Sequence, residues 1–86
     1  MDRVNELLQK LKELAEGEAD PKVVSEWAVN QELNFNKENV TLSEAEEELL
    51  SNLQLAGALN EHGAYLYDTE DFRKWLKDYL SENNNN

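Results

Sequence analysis

The stretch TLSEAEEELLSNLQLAGAL, residues 41–59, decides the architecture. Ala45, Leu49, Leu50, Leu53, Ala56 and Leu59 recur at three- and four-residue steps, which stacks them on one side of an α-helix. Two overlapping capping boxes open it, Thr41 with Glu44 and Ser43 with Glu46. Either hydroxyl can accept from an orphan N–H while the glutamate three positions on reaches back. Carboxylates in the first turn also favour the positive end of the helix dipole, by about a few tenths of a kcal/mol each. Gly57 interrupts the pattern at a cost of about 1 kcal/mol relative to alanine. It marks either close packing against another helix or an early end to this one, and His62-Gly63 ends the element at the latest.

The same periodicity extends to both sides. Val4, Leu7, Leu8, Leu11, Leu14 and Ala15 form one stripe of a first helix, with Asp2 placed to cap its start and Gly17 to end it in a left-handed C′ conformation. Glu6 and Lys10 make an i, i+4 pair on its wet side. Asp20-Pro21 restarts the chain, an N-cap followed by proline where its missing N–H costs nothing. Val23, Val24, Trp27 and Ala28 give a second helix its inward face, ending near Glu32. NFNKEN, residues 34–39, then reads as a polar connector whose Phe35 plugs the loop onto the core.

AYLYD, residues 64–68, is too short for an independent sheet; if extended, Tyr65 and Tyr67 point to one side and Leu66 to the other. Asp68 or Thr69 caps a last helix with Phe72, Trp75, Leu76, Tyr79 and Leu80 on its stripe. Glu70 and Asp71 lie early in that helix and Arg73, Lys74 and Lys77 later, in the sense its dipole favours. The expectation is an all-α protein: a compact four-helix bundle with a short extended connector before the last helix. Residues 1–82 form a single helical domain, and residues 83–86 a disordered asparagine tail.

Eighty-six residues suffice for one domain with a modest core, burying roughly 60–65% of the surface the unfolded chain exposes. There is no cysteine, hence no disulfide and no thiolate chemistry. MDRVNELLQK lacks the continuous apolar run of a signal peptide, and no window approaches the roughly 18 apolar residues of a membrane span. A soluble, cytoplasmic protein is expected. The charge is distinctive: 19 acidic residues against 8 basic, a net −11. A field of that sign repels nucleic acid and anionic membranes and speeds encounter with basic proteins; solubility alone is the plainer account.

Catalytic chemistry is hard to assemble from these residues. His62 is the single histidine and stands beside a helix-ending glycine, where it faces water or the last carbonyls. Gly17, Gly57 and Gly63 are too scattered for a phosphate-binding loop, and no Asp-rich calcium loop is present. Glu44, Glu47 and Glu48 share one exposed side of the third helix, but catalysis needs a partly dry cleft to shift carboxyl pKa values. No catalytic, cofactor or metal site is expected, and the protein is read as a non-enzyme. Trp27, Phe72, Trp75 and Tyr79 lie on apolar stripes and belong to the core. Tyr65 and Tyr67 lie off them, beside Asp68, Glu70 and Asp71, where aromatic anchors and negative charge suit partner contact.

In this plan, and in the acidic stretches SEAEEELL and YLYDTEDF, the chain resembles the small acidic helical immunity proteins of bacteria. That resemblance implies a cytoplasmic inhibitor that occludes a basic protein, such as a toxin nuclease, by setting carboxylates where nucleic-acid phosphates would lie. Glu44, Glu47, Glu48, Tyr65, Tyr67, Asp68 and Asp71 are the expected partner-binding residues. Two other readings stay open. One is an adaptor or regulatory module docking through an apolar patch around Trp27 or Phe35; the other is a homodimer that completes its core on association.

Overall fold

The computed structural model describes residues 3–83. Asp2, expected to cap the first helix, and residues 84–86 of the expected tail lie outside the described residues. Four helices follow in order: α1 (Arg3–Ala15), α2 (Pro21–Lys37), α3 (Glu44–Leu55) and α4 (Thr69–Asn83). They run up, down, up and down. Arg3 meets Glu46, so α1 and α3 are parallel, whereas Ser25 meets Gln54 and Arg73 meets Ala15, so α2 and α4 run against them. α1 packs between α4 and α3, α2 packs on the far side of α3, and α3 and α4 touch lightly. The domain is flattened, 37 × 35 × 20 Å.

The apolar stripes meet where expected. Leu7, Leu11 and Leu14 of α1, Val24 and Ala28 of α2, Leu49, Leu50 and Leu53 of α3, and Phe72 and Tyr79 of α4 are buried in one cluster. Trp27, Phe35, Trp75 and Leu76 pack against it from its edge. Phe35 and Trp27 each lie under a cation of α1, with the Arg3 guanidinium 5.8 Å and the Lys10 ammonium 5.3 Å from the ring centres. Lys10, expected to pair with Glu6, lies 3.9 Å from Glu13.

Helix ends explain most departures from expectation. α1 closes as a Schellman motif on Gly17 (φ 73°), with Glu18 N–H donating to Glu13 C=O and Gly17 N–H to Leu14 C=O. α2 closes in the same way, but on Asn39 (φ 57°), with Val40 N–H donating to Phe35 C=O and Asn39 N–H to Asn36 C=O. The helix therefore runs to Lys37 instead of stopping near Glu32, and Phe35 is a helical side chain rather than a loop plug. At the other end of α2, Val23 faces solvent, 59% exposed, because the inward face is the buried Val24 and Ala28 with the half-buried Phe35.

α3 opens on one capping box: Ser43 Oγ accepts from Glu46 N–H, and Glu46 Oε1 from Ser43 N–H. Thr41 stands before the cap. The helix ends at Leu55, well short of His62, so Leu59 leaves the stripe and is 58% exposed. Gly57 follows where the chain after α3 passes close to the start of α2. A Cβ there would lie 2.7 Å from Ser25 Cβ and 3.2 Å from the Pro21 carbonyl oxygen. Leu80 of α4 is also outside the core, 41% exposed.

The connector before α4 is a folded loop rather than an extended strip. Asn60 organises it: its Oδ1 accepts from His62 N–H and Ala64 N–H, and its backbone N–H donates to Ala64 C=O. Gly63 (φ 80°) supplies the left-handed turn. Leu59 and Tyr65 then form a single antiparallel bridge, and Leu66 N–H donates to Ala58 C=O. His62 points into solvent beside Glu61.

Candidate partner-binding site

The expected partner-binding residues fall at opposite ends of the bundle. Glu44, Glu47 and Glu48 sit at the start of α3, with the start of α1 and the ends of α2 and α4. Tyr65, Tyr67, Asp68 and Asp71 sit at the start of α4, with the end of α1 and the start of α2. The 12 residues of α3 separate the two ends by roughly 18 Å of helix axis. One small partner side chain cannot engage both.

At the first end the acidic residues do different things. Glu46 is buried, capping α3 and receiving Arg3 Nε at 2.7 Å. The Ser43 N–H, ahead of the Arg3 guanidinium and against the cost of burial, holds its carboxyl below the usual range. Its contribution to stability is therefore present above the unfolded-chain pKa and is lost as pH falls through the folded one. Glu47 turns towards α2, lining a shallow groove with Glu32, Phe35 and Gln54. Glu48 turns towards α4. Partial loss of water, then the carboxylates of Glu82 and Asp78, push its pKa up.

Because that folded-state pKa lies above the unfolded one, the Glu48 charge weakens the fold increasingly as pH rises through the carboxyl range and costs nothing below it. Glu48→Gln is expected to raise stability at about pH 7 by about 0.2–0.5 kcal/mol, the size of exposed like-charge pairs. The gain vanishes near pH 3. Urea melts at both pH values check it, and equal stability of the two proteins at neutral pH would exclude the repulsion.

The second end holds a cleft of about 350 Å³. Leu14, Ala19 and Phe72 supply its apolar lining, and Pro21, Tyr65, Tyr67 and Asp68 surround them. Tyr67 meets the Trp75 ring edge-to-face at 4.9 Å, and Trp75 meets Phe72 at 5.3 Å, so the Tyr67 ring is held by packing. Tyr65 Oη donates to Asp20 Oδ1 at 2.7 Å across 45 residues. This bond leads the lowering of the Asp20 pKa, with help from Lys22 N–H, and it pushes the Tyr65 phenol up. Asp68 is the N-cap of α4: its Oδ1 accepts from Glu70 and Asp71 N–H, and Asp71 Oδ2 accepts from Asp68 N–H. Tyr65 and Tyr67 thus share one side of the chain, and the half-exposed Leu66 does not join them.

Sequence reasoning found the tyrosines and Asp68 but missed Asp20, Leu14 and Phe72 as parts of the same place. Asp20 was legible only as a cap, since nothing local ties it to Tyr65. Among the described residues no three His, Asp or Glu side chains converge to hold a metal ion, and no helix is long and apolar enough to cross a membrane. No family model, curated protein or solved structure matches the chain.

Proposed function

We propose that this is a non-enzymatic binding protein that occludes a basic protein partner, in the manner of the acidic bacterial immunity proteins that neutralise toxin nucleases. One observation carries the reading: apart from the buried Glu46, the acidic side chains of the described residues are at least partly exposed. Among the described residues Arg3–Glu46 is the one ion pair that joins two helices; the pairs of Lys10 with Glu13 and Lys74 with Asp78 are within a helix. Arg73 is directed to the Ala15 carbonyl at the end of α1 rather than to a carboxylate. With 19 acidic residues against 8 basic, most carboxylates are without a cation of their own. Such a surface accelerates association with a cationic partner, while desolvated aromatic contacts slow its release.

Affinity capture from the source cell's lysate tests this at about 50 mM and about 500 mM salt, between which the Debye length falls from roughly 14 to 4 Å. Recovery of one basic protein at low salt, strongly reduced at high salt, is the expected result. Equal recovery at both would overturn the electrostatic reading and favour an apolar docking module. A specific feature supports that second reading. Trp27 and Phe35 are half-buried against the core, but Val23, Val29 and Leu33 of α2 are exposed, Leu33 by 60%.

A further inference from the structure

The cleft between the Gly17–Pro21 turn and the connector has a composition that selects among basic side chains. Its interior is apolar, with Leu14, Ala19 and Phe72, and a packed aromatic, Tyr67, stands beside it. Its rim carries one carboxylate, Asp68, and Asp20 stands behind the lining residues Pro21 and Tyr65, bonded to the Tyr65 hydroxyl. At about 350 Å³ it lies at the low end of the range for ligand pockets, room for one long side chain and not for a helix. The Asp68 carboxylate disfavours an anion there, and a wholly apolar group would leave it without a counter-charge. A long aliphatic stem ending in a cation satisfies both parts, because such side chains bury the stem and keep the charge at the edge.

Arginine fits this arrangement better than lysine. Its planar guanidinium stacks on aromatic faces and is more weakly hydrated than an ammonium. Its fork can also engage two oxygens of a carboxylate. The capping bonds of Asp68 occupy Oδ1, and Oδ2 accepts none of the hydrogen bonds among the described residues. The geometry points to this cleft as the receptor for a single arginine side chain of the basic partner. The inference rests on the partner being a basic protein and adds which of the two acidic ends engages it, and through what group.

The test uses the full chain, isotope-labelled, titrated with N-acetyl-arginine amide while amide resonances are followed. Saturable shifts confined to residues 14–21 and 65–72 are expected, with a dissociation constant on the order of 1 mM for so small a probe. N-acetyl-lysine amide should bind about 3–5-fold more weakly and N-acetyl-norleucine amide more than about 10-fold more weakly, since they lack the fork and the charge respectively. Asp68→Asn keeps a good N-cap and should weaken the arginine probe by about 5-fold or more, with the fold intact by circular dichroism. Non-saturating shifts, or equal shifts by all three probes, would overturn the site. If a basic partner is captured in a salt-sensitive way but binds Asp68→Asn and Tyr67→Leu as tightly as the parent, the cleft is excluded and the acidic end of α3 is left as the docking face. If the probe saturates the cleft and no basic protein is captured, the arginine site stands and the inhibitor reading falls.

Discussion

Phe72→Ala is expected to remove about 3–5 kcal/mol of stability, the usual cost of deleting a buried phenylalanine with its cavity left partly unfilled. Phe72 is 1% exposed and stands where α4 meets the end of α1. Its ring meets Trp75 edge-to-face at 5.3 Å, and Trp75 in turn holds Tyr67. A domain of 86 residues has a total stability of roughly 4–13 kcal/mol. The variant should therefore melt roughly 15–30 °C lower and populate the unfolded state visibly near room temperature. Leu80→Ala is the comparison: Leu80 shares the stripe in sequence, but at 41% exposure it should cost under about 1 kcal/mol. Thermal and urea melts of the pair distinguish a core set by α4's inner face from one spread over its whole apolar sequence. Equal losses would mean that Leu80 is buried as well and that α4 is rotated.

That contrast shows where periodicity stops being informative. The stripes of α1 and α3 were legible because leucine steps of three and four repeat over several turns and both helices have neighbours on more than one side. α2 and α4 flank the assembly, and each has a narrower buried face, so apolar residues at the margins of their stripes, Val23 and Leu80, lie outside the core. The end of α2 was hidden by composition. Asn34, Asn36 and Asn39 suggest a loop, yet Val24, Ala28 and Phe35 continue one helical face, and Asn39 is among the few residues besides glycine that tolerate the left-handed C′ position. The site was half legible for a different reason. Tyr65, Tyr67 and Asp68 are neighbours in the chain, whereas Leu14 reaches the cleft through the packing of α1 against α4, and Asp20 comes beside it through the Tyr65 hydroxyl.

The crowded glutamates at residues 44–48 resolve in the same physical terms. Glu46 is structural, fixed by the Ser43 cap and the Arg3 guanidinium. Glu44 occupies the first turn, where the dipole favours a carboxylate. Glu47 and Glu48 diverge, one towards α2 and one towards the acidic end of α4, where partial loss of water, then Glu82 and Asp78, push its pKa up. Two carboxylates that diverge do not converge on one ligand, which is why the cleft at the other end, and not this cluster, is assigned the anchoring contact.

Gly57→Ala separates the two meanings that glycine has in sequence. As an interruption of a helix, replacement by alanine would stabilise by about 1 kcal/mol. In the structure Gly57 follows α3 and lies against the first turn of α2. A Cβ there would come within 2.7 Å of Ser25 Cβ and 3.0 Å of its Oγ. Ser25 cannot swing aside, because Cβ is fixed to the backbone and Oγ donates to the Gln54 carbonyl at 2.7 Å. The start of α2 must move, which costs about 1–3 kcal/mol, the range for overpacked sites. Ser25→Gly removes the opposing Cβ and alone costs about 0.5 kcal/mol in helix propensity and about 1 kcal/mol for its hydrogen bond. In the double variant the two losses should not add. A favourable coupling of about 1 kcal/mol or more is expected from a double-mutant cycle in urea. Strict additivity, or a Gly57→Ala protein that melts higher than the parent, would mean that α2 and the end of α3 stand further apart. Asp20 caps the same turn of α2, beside the cleft's Pro21, so a displaced α2 should also lengthen the Tyr65–Asp20 bond. A fall in the Tyr65 phenol pKa towards its ordinary value, read by ultraviolet titration of Gly57→Ala, links the packing of this glycine to the geometry of the proposed arginine site.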